Sequence, residues 1–322
     1  MNPEIPRNLL WSLRIRAYAL RTMRTRRNLI QTKHDQMTAF MKLSERFLGT
    51  YDAVRECDVS YFTTPMWDGF RSDLENTFLP SPPFSFLRNP TILKTMFVTA
   101  GGRWMREELA YLEGHMPEKR LRDLLAEDFA GDPYLFNAKY MTSHNTIHTL
   151  YHLARYSAAT GCDLEDIHNV VEWGGGYGNL ARIFQRLKSQ SLTYTIVDLP
   201  IMSMIQWIYL SSILGEEKVR IIQTPEVTLK DGVINLLPVC HLKDYEPRGD
   251  LFVSTWALNE SSENAQKYVT SRAWFDSKRV LLAFVKDASV STKADLIQKA
   301  AADGGAAIEP IDFIPDNFYA FL

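Results

Sequence analysis

The chain contains 322 residues, of which 46% are hydrophobic, and it carries a formal net charge of −2 at pH 7. This length accommodates one α/β domain of about 150 to 200 residues and a smaller second one, and the charge argues against nucleic acid as the default partner. No run of about eighteen apolar residues exists, and arginines are dispersed through the N-terminal apolar segment, so we expect neither a signal peptide nor a membrane span.

The first predicted helix, from about Arg7 to Leu48, is strongly basic and has almost no acidic residue before Asp35. This pattern is typical of a solvated helix face whose charge is compensated elsewhere. It also fits a contact between copies of the chain, a peripheral contact with an anionic membrane, or attraction of a phosphorylated or nucleotide-linked substrate. The arginines are Arg14, Arg16, Arg21, Arg24, Arg26 and Arg27.

The segment up to about Asp132 has helical periodicity that is interrupted by turns, at Leu79–Pro83 and at Gly101-Gly102. It is therefore predicted to be mainly helical. We divide the chain into a helical cap, residues 1–140, for substrate binding and oligomerisation, and a ligand-binding domain, residues 141–322.

A helix predicted from Ser143 to Tyr156 carries three histidines, His144, His148 and His152, at intervals of four residues. Positions with this spacing rotate by about 40° around a straight helix. Three ligands would therefore not converge on one ion, and no cysteine or carboxylate supplies an obvious fourth. We expect no metal here.

A hydrophobic strand is joined to a helix within Val170–Arg182 by a turn that contains four glycines in five residues. Glycine allows tight turns with positive φ and the close approach of a ligand to the backbone. The free N–H groups of the following helix favour an anionic group. The spacing is acidic-x-Gly-x-Gly-x-Gly, from Glu172 through Gly174 and Gly176 to Gly178, and differs from the dinucleotide pattern Gly-x-Gly-x-x-Gly.

The next predicted strand, Leu192–Val197, ends in Asp198, twenty residues after Gly178. Doubly wound sheets place there a carboxylate that accepts hydrogen bonds from ribose hydroxyls. The sequence therefore predicts a nucleoside-containing ligand.

The remaining pattern is that of a parallel sheet covered by helices, and it ends in a hairpin. Strands Ala307–Ile314 and Asn317–Leu322 are predicted on either side of a Pro315-Asp316 turn, after a helix that Gly304-Gly305 closes. The intervening elements are helix Ile201–Leu214, strands Val219–Gln223, Val233–Leu237 and Asp250–Trp256, helix Ser261–Ser271, strand Arg279–Lys286 and helix Thr292–Ala302.

These motifs resemble the class I S-adenosylmethionine-dependent methyltransferases, whose first motif is the same glycine pattern and whose second strand ends in an acidic residue. More narrowly, Glu172–Ala181, Val197–Pro200 with Gln206 and Tyr209-Leu210, and Ser254–Glu260 resemble the bacterial sugar O-methyltransferase family. The resemblance implies a Rossmann-like, seven-stranded α/β sheet with a terminal antiparallel hairpin, whose final strand lies between its neighbours. It also implies S-adenosyl-L-methionine as donor and S-adenosyl-L-homocysteine as product.

The resemblance also assigns the cofactor contacts. The glycines contact the methionine part, Asp198 holds the ribose, and Ser254 and Thr255 approach the sulfonium. Adenine lies against Pro238 and Val239, or against the loop Cys240–Tyr245. The full set of expected contacts is Glu172, Gly174, Gly175, Gly176, Tyr177, Gly178, Asp198, Leu199, Pro238, Ser254 and Thr255.

A neutral sugar hydroxyl is a poor nucleophile, so a general base is expected within hydrogen-bond reach of it. The catalytic candidates are Glu260, His144 and His148, since the helix before the first strand lies over the cofactor in this fold. Glu260 has an alternative role at the N-terminus of the following helix, and the histidines have one in helix packing. His241 is better explained as a surface-loop residue, and Asn259 as a residue that orients a hydroxyl.

The expected acceptor is a small-molecule, nucleotide-linked or lipid-linked sugar in glycan, lipopolysaccharide or glycosylated metabolite biosynthesis. A non-sugar small molecule is the alternative, and intact glycines argue against a non-catalytic scaffold. Several aromatic residues of the cap either form a lid that stacks on the sugar or, as we favour, pack the cap's own core. They are Trp67, Phe84, Phe86, Trp104 and Tyr134.

The three cysteines, Cys57, Cys162 and Cys240, are far apart in the sequence and form no Cys-x-x-Cys pair. This favours a reducing, cytoplasmic environment over a disulfide scaffold or a zinc site. We interpret all three as small buried hydrophobic residues.

Overall fold

The computed structural model describes residues 7–96, 102–188, 191–286, 294–312 and 314–322, with side chains from residue 28 onwards except at 102 and 103. One sheet carries helices on both faces, and the N-terminal helices cover part of it. In this part of the chain, no helix is both long and apolar enough to cross a membrane.

The helices before the sheet are α1 (Arg7–Asp52), α2 (Pro65–Phe78), α3 (Pro90–Met96), α4 (Gly102–His115), α5 (Glu118–Leu125) and α6 (His144–Thr160). The later helices are α7 (Asn179–Leu187), α8 (Pro200–Leu214), α9 (Ala257–Glu260), α10 (Glu263–Ser271), the left-handed turn α11 (Ala273–Asp276) and α12 (Asp295–Asp303). The strands are β1 (Asn169–Trp173), β2 (Thr193–Asp198), β3 (Val219–Ile221), β4 (Ile234–Pro238), β5 (Leu251–Thr255), β6 (Arg279–Val285), β7 (Ala307–Pro310) and β8 (Asn317–Phe321).

The strand order is β3-β4-β2-β1-β5-β6-β8-β7. The first six strands run parallel, and β8 is antiparallel to both β6 and β7. The predicted methyltransferase sheet, with its final strand inserted between its neighbours, is therefore confirmed. The sheet has eight strands rather than seven. β4 pairs with β2, and the short strand β3 pairs with β4 and forms the edge of the sheet.

The C-terminal half of α1 packs against α8 through one apolar face. Phe40, Leu43, Phe47 and Tyr51 are buried and recur every three or four residues, as expected for a helix face. Residues 28–35 are exposed. The six arginines named above precede the described side chains, so the role of the basic segment stays a prediction.

The cap helices and one face of the sheet share a hydrophobic core that extends from Phe40 to Phe321. Phe86 and Trp104 belong to the buried interior, as the packing interpretation predicts. Tyr134 is 56% exposed, with the Arg88 guanidinium 4.8 Å from its ring centroid. Phe84 packs at the margin of the core.

The interpretation of Cys57 and Cys240 as separate buried residues is wrong, because the two form a disulfide across 183 positions of sequence. The fold brings the segment after α1 against the loop after β4, and spacing along the chain did not indicate this. The cysteines therefore do not favour a reducing compartment. Cys162 is a free, half-buried cysteine.

Candidate active site

The turn between β1 and α7 has left-handed backbone at three glycines. The φ angle is +75° at Gly174, +55° at Gly176 and +95° at Gly178, a region that glycine enters without steric cost. The Gly174 N–H donates a 2.9 Å hydrogen bond to the carbonyl of Val197, so the start of the turn is fixed to β2.

The same glycines differ in what surrounds them. A Cβ added to Gly174 would lie 2.0 Å from the Cβ of Ala257, and one added to Gly178 would lie 2.8 Å from Leu210 Cδ1. A Cβ at Gly176 would meet nothing closer than Met96, at 3.8 Å. Gly174 and Gly178 therefore permit close packing, whereas Gly176 borders open space.

Two carboxylates lie on neighbouring strands beside this turn. Burial raises the pKa of Glu172 to about 8, and the carboxylate accepts a 2.8 Å hydrogen bond from the Tyr194 hydroxyl. Burial raises the pKa of Asp198 to about 7. Hydrogen bonds from the Leu199 N–H and the Gln206 amide, each 2.8 Å, act in the opposite direction and favour the charged form.

Gln206 connects the carboxylate of β2 to the glycine turn. It is fully buried in α8, and its Nε2 also donates to the carbonyl of Gly176 at 3.0 Å. One side chain therefore sets the position of Asp198 relative to Gly176, which makes Gln206 a positioning residue.

A cavity of about 360 Å³ lies at the carboxyl ends of the strands. This volume falls within the range of small-ligand sites. The cap contributes part of the wall, although it is remote in sequence from the glycine turn. Its contributions are Phe62, Thr63, Trp67, Lys94, Thr95 and Met96.

Most of the predicted site residues lie together on this wall. They are Glu172, Gly174, Gly175, Gly176, Tyr177, Asp198, Leu199, Thr255, His148 and Glu260. Four predicted site residues are not among the described residues that line the cavity: Gly178, Pro238, Ser254 and His144.

Ser254 and Pro238 have structural positions beside the cavity. The Ser254 hydroxyl donates to the carbonyl of Trp173 at 3.1 Å and accepts from the Leu258 N–H at 3.0 Å, which ties β5 to its neighbours. Pro238 is in register with Asp198, and the next residue, Val239, reaches the wall.

His148 forms a buried pair with Glu108 of the cap. Its Nδ1 lies 2.6 Å from Glu108 Oε1, and the two side chains are 3% and 0% exposed. Burial raises the pKa of Glu108 and lowers the pKa of His148. The neutral pair is therefore favoured. His148 lines the cavity, and its buried Nε2 has no hydrogen-bond partner among the residues that the structure describes.

Aromatic rings fix the orientation of His148. Trp104 packs edge-on at 5.0 Å between ring centroids, and Trp256 stacks at 5.7 Å. Trp256 has φ +63°, which is rare for a bulky residue, and its Nε1 donates to Asn317 Oδ1 at 2.6 Å. The strained backbone therefore holds an indole against the imidazole, at the cavity wall.

The other histidines of α6 are placed differently. His152 Nδ1 lies 2.6 Å from the Tyr319 hydroxyl, and its ring centroid is 4.1 Å from that of His148. His144 is the first residue of α6, after the Ser143 cap. His148 is therefore the predicted histidine that combines a carboxylate partner with a position on the wall.

Glu260 also lines the cavity, at the end of α9. Burial raises the pKa of its carboxyl group, while a hydrogen bond with Trp67 lowers it. Ser262, and not Glu260, caps α10, because its hydroxyl accepts from the Ala265 N–H. Asn259 is buried and accepts from the Val285 N–H at 3.0 Å.

Sequence reasoning missed Glu108 and the positioning role of Gln206. Gln206 was noted only as part of the family resemblance. Glu108 gave one weak signal, because the residues three and four positions from it on either side, Trp104, Met105, Tyr111 and Leu112, are all apolar. Its partner His148 is 40 positions away, so no local pattern connects them.

The sheet order, the glycine turn and Asp198 together define the class I methyltransferase type of Rossmann-like fold. No model of a known protein family matches the chain, and no curated protein matches it significantly.

Several solved structures show limited similarity. The pyocyanin biosynthetic protein PhzM is 15% identical, with 55% of this chain and 56% of that chain covered and a TM-score of 0.36. An O-methyltransferase family protein from Burkholderia thailandensis is 13% identical, with 71% and 75% covered and a TM-score of 0.38. Magnesium protoporphyrin IX methyltransferase from Synechocystis PCC 6803, solved with bound S-adenosylhomocysteine, is 13% identical, with 67% and 99% covered and a TM-score of 0.38. These scores are too low to support an argument about activity or substrate.

Proposed function

We propose that the chain is an S-adenosylmethionine-dependent O-methyltransferase that acts on a hydroxyl group of a small acceptor. The observation that carries this proposal is the convergence of the glycine turn, Asp198 and the His148–Glu108 pair on one cavity. The glycine spacing from Glu172 to Gly178 differs from the dinucleotide pattern Gly-x-Gly-x-x-Gly, and the pair supplies the base that a hydroxyl acceptor needs.

The residues present fit the cofactor. The open space at Gly176 admits a ligand against the backbone, and Asp198 offers carboxylate oxygens to ribose hydroxyls. Val239, at the end of the neighbouring strand, supplies an apolar surface for the adenine ring of the cofactor. Glu172 faces the same cavity and places a second carboxyl group beside the turn.

The cofactor supplies an activated methyl group, so the protein's tasks are alignment, exclusion of water and removal of one proton. His148 Nε2 takes the proton of the acceptor hydroxyl. At neutral pH, Glu108 is protonated and donates to Nδ1, so Nε2 carries the imidazole proton. When the pair loses one proton, the remaining proton lies on Nδ1, which donates to the Glu108 carboxylate. Nε2 then has a free lone pair and can accept the proton of the acceptor hydroxyl.

Glu260 is the alternative base among the residues that line the cavity. Its pKa is raised and Trp67 is a hydrogen-bond partner, but among the described residues no second acid or base holds it in position as Glu108 holds His148. We therefore assign proton removal to His148 and give Glu260 a role in binding the acceptor.

A sugar hydroxyl is the acceptor that the sequence resemblance favours, in glycan, lipopolysaccharide or glycosylated metabolite biosynthesis. Trp67, Trp173 and Trp256 on the wall supply flat apolar faces for a sugar ring. The same faces suit a flat aromatic acceptor, which keeps a phenolic small molecule as the second candidate. Nucleotide-linked or lipid-linked forms, oligomerisation, membrane contact and a cytoplasmic location stay predictions.

Calorimetric titration with S-adenosylmethionine, S-adenosylhomocysteine and NAD tests the donor. We expect micromolar affinity, about −8 kcal/mol, for the first two and none for NAD. An acceptor screen with nucleotide sugars and with phenols follows, with S-adenosylhomocysteine release as the readout. Binding of NAD alone, or of none of the three, would contradict the proposal.

A further inference from the structure

Three metal-ligating side chains meet outside the cavity, at the contact between the cap and the sheet domain. Cys57 follows α1, and Cys240 and His241 lie in the short 3₁₀ helix Val239–Asp244 after β4. One sulfur or nitrogen atom from each lies within 4.8 Å of the others. Residues 183 positions apart in the chain therefore present two sulfurs and one imidazole to one point.

One nitrogen of the imidazole at this point lacks a hydrogen-bond partner within the described part of the chain. It is His241 Nε2, and it is buried. A buried polar nitrogen without a partner is costly unless something binds it. Cys57 also lines a surface depression, together with the acidic residues Asp58 and Asp68 and the basic residues Arg55 and Arg71.

We propose that Cys57, Cys240 and His241 bind a Zn²⁺ ion when the two cysteines are reduced, and that the disulfide is the oxidised state of the same site. Thiolate and imidazole are the ligands that zinc prefers, and a water molecule completes the tetrahedron. On binding, each thiol releases one proton to solvent, so affinity rises with pH.

Oxidation releases the metal. A small-molecule disulfide such as oxidised glutathione accepts two electrons from the two thiolates, and its S–S bond breaks as the Cys57–Cys240 bond forms. The products are the protein disulfide, two glutathione thiols that take protons from solvent, and free Zn²⁺. The site therefore has two mutually exclusive states, both of which hold the cap against the loop after β4.

The disulfide and the proposed zinc site both link segments that line the cavity. Phe62 and Thr63 follow Cys57 by five and six residues and line the cavity wall, and Val239, which directly precedes Cys240, lines it too. Loss of both cross-links would leave the cap segment held only by noncovalent contacts such as that of Lys243 with the Tyr61 ring, 4.4 Å to the centroid, whereas exchange of one for the other would keep the link.

Zinc titration of the reduced, metal-stripped full chain tests the proposal. We expect one Zn²⁺ per chain for the wild type and for Cys162→Ser, whose cysteine is outside the cluster. Affinity should fall by more than about 100-fold in Cys57→Ser, Cys240→Ser and His241→Ala. No zinc uptake by the reduced wild type, or unchanged uptake in Cys57→Ser, would overturn the proposal. So would loss of uptake in Cys162→Ser.

Two further measurements keep the test decisive if a cysteine variant fails to fold. Co²⁺ added to the reduced wild type should give the visible and near-ultraviolet bands of tetrahedral thiolate coordination, which disappear in folded His241→Ala or shift there. Oxidised glutathione added to the zinc-loaded wild type should release the metal and join the Cys57 and Cys240 peptides in non-reducing mass spectrometry. A spectrum that shows only octahedral aqua Co²⁺, or retention of zinc after the disulfide forms, would refute the site.

Discussion

Replacement of Glu108 with glutamine isolates the contribution of the buried pair to proton removal. The substitution keeps the size of the side chain, and the amide oxygen of glutamine can still accept from His148 Nδ1. It removes the negative charge that stabilises the imidazolium formed when Nε2 takes a proton. Glu108 belongs to α4 and does not touch the glycine turn, so cofactor affinity should be unchanged.

The magnitude follows from the geometry of the pair. The atoms are 2.6 Å apart, and the charge centres of a carboxylate and an imidazolium in such a contact are about 4 Å apart. At an effective dielectric constant of about 20, the lost attraction is about 4 kcal/mol. Since about 1.4 kcal/mol corresponds to a tenfold change in rate, we expect kcat to fall by about 100-fold to 1,000-fold at alkaline pH, where the wild-type pair has lost its proton, with little change in the KM of the cofactor.

The pH dependence gives a second readout. The wild-type rate should rise with pH above neutrality, because the neutral pair must lose one proton before Nε2 can act. Burial raises the pKa of Glu108, so whatever stability its protonated form contributes is lost as pH rises through the folded-state pKa. Glu108→Gln should therefore be at least as stable as the wild type at pH 8, and should lose the rise in rate.

Single-turnover transfer of a labelled methyl group measures the effect, with Glu113→Gln as a matched control. Glu113 lies on the same helix and is bound to Lys139 at the surface, so its replacement should leave kcat unchanged. The double variant, Glu108→Gln with His148→Ala, should be no slower than the slower of the two single variants, since the two residues act as a unit. Wild-type kcat in Glu108→Gln, or additive losses in the double variant, would refute the reasoning.

Three other substitutions test the cofactor site and the alternative base. Asp198→Asn should weaken S-adenosylmethionine binding by about tenfold to 100-fold, and wild-type affinity should fall as pH drops through 7, where Asp198 becomes protonated, both measured by calorimetry. Gly174→Ala and Gly176→Ala should both lose about 1–2 kcal/mol of unfolding free energy, because alanine is strained in left-handed backbone. Gly174→Ala should lose about 1–3 kcal/mol more because its Cβ would overlap Ala257, whereas Gly176→Ala should lose cofactor affinity. Equal stabilities of the two in denaturant titrations would count against this packing. Glu260→Gln should retain cofactor binding and reduce kcat less than His148→Ala does; a larger reduction would make Glu260 the base.

The glycine turn, the strand that ends in Asp198 and the terminal hairpin were determined by short stretches of sequence. Positive φ at Gly174 and Gly178 is a local requirement that few other residues meet, and an apolar run bounded by a turn predicts a strand without knowledge of its neighbours. The order of these signals along the chain then specified the fold class, because few topologies accommodate it.

The chemistry within the cavity depended on packing between remote elements. Glu108 meets His148 only because α4 lies against α6, and Cys57 meets Cys240 only because the segment after α1 reaches the loop after β4. Ser254 has the position predicted for a cofactor contact, yet its hydroxyl is used by Trp173 and Leu258. A sequence records which side chains are available, whereas burial and the distance to a partner decide their protonation and role, and both are set by contacts between residues that are far apart in the chain.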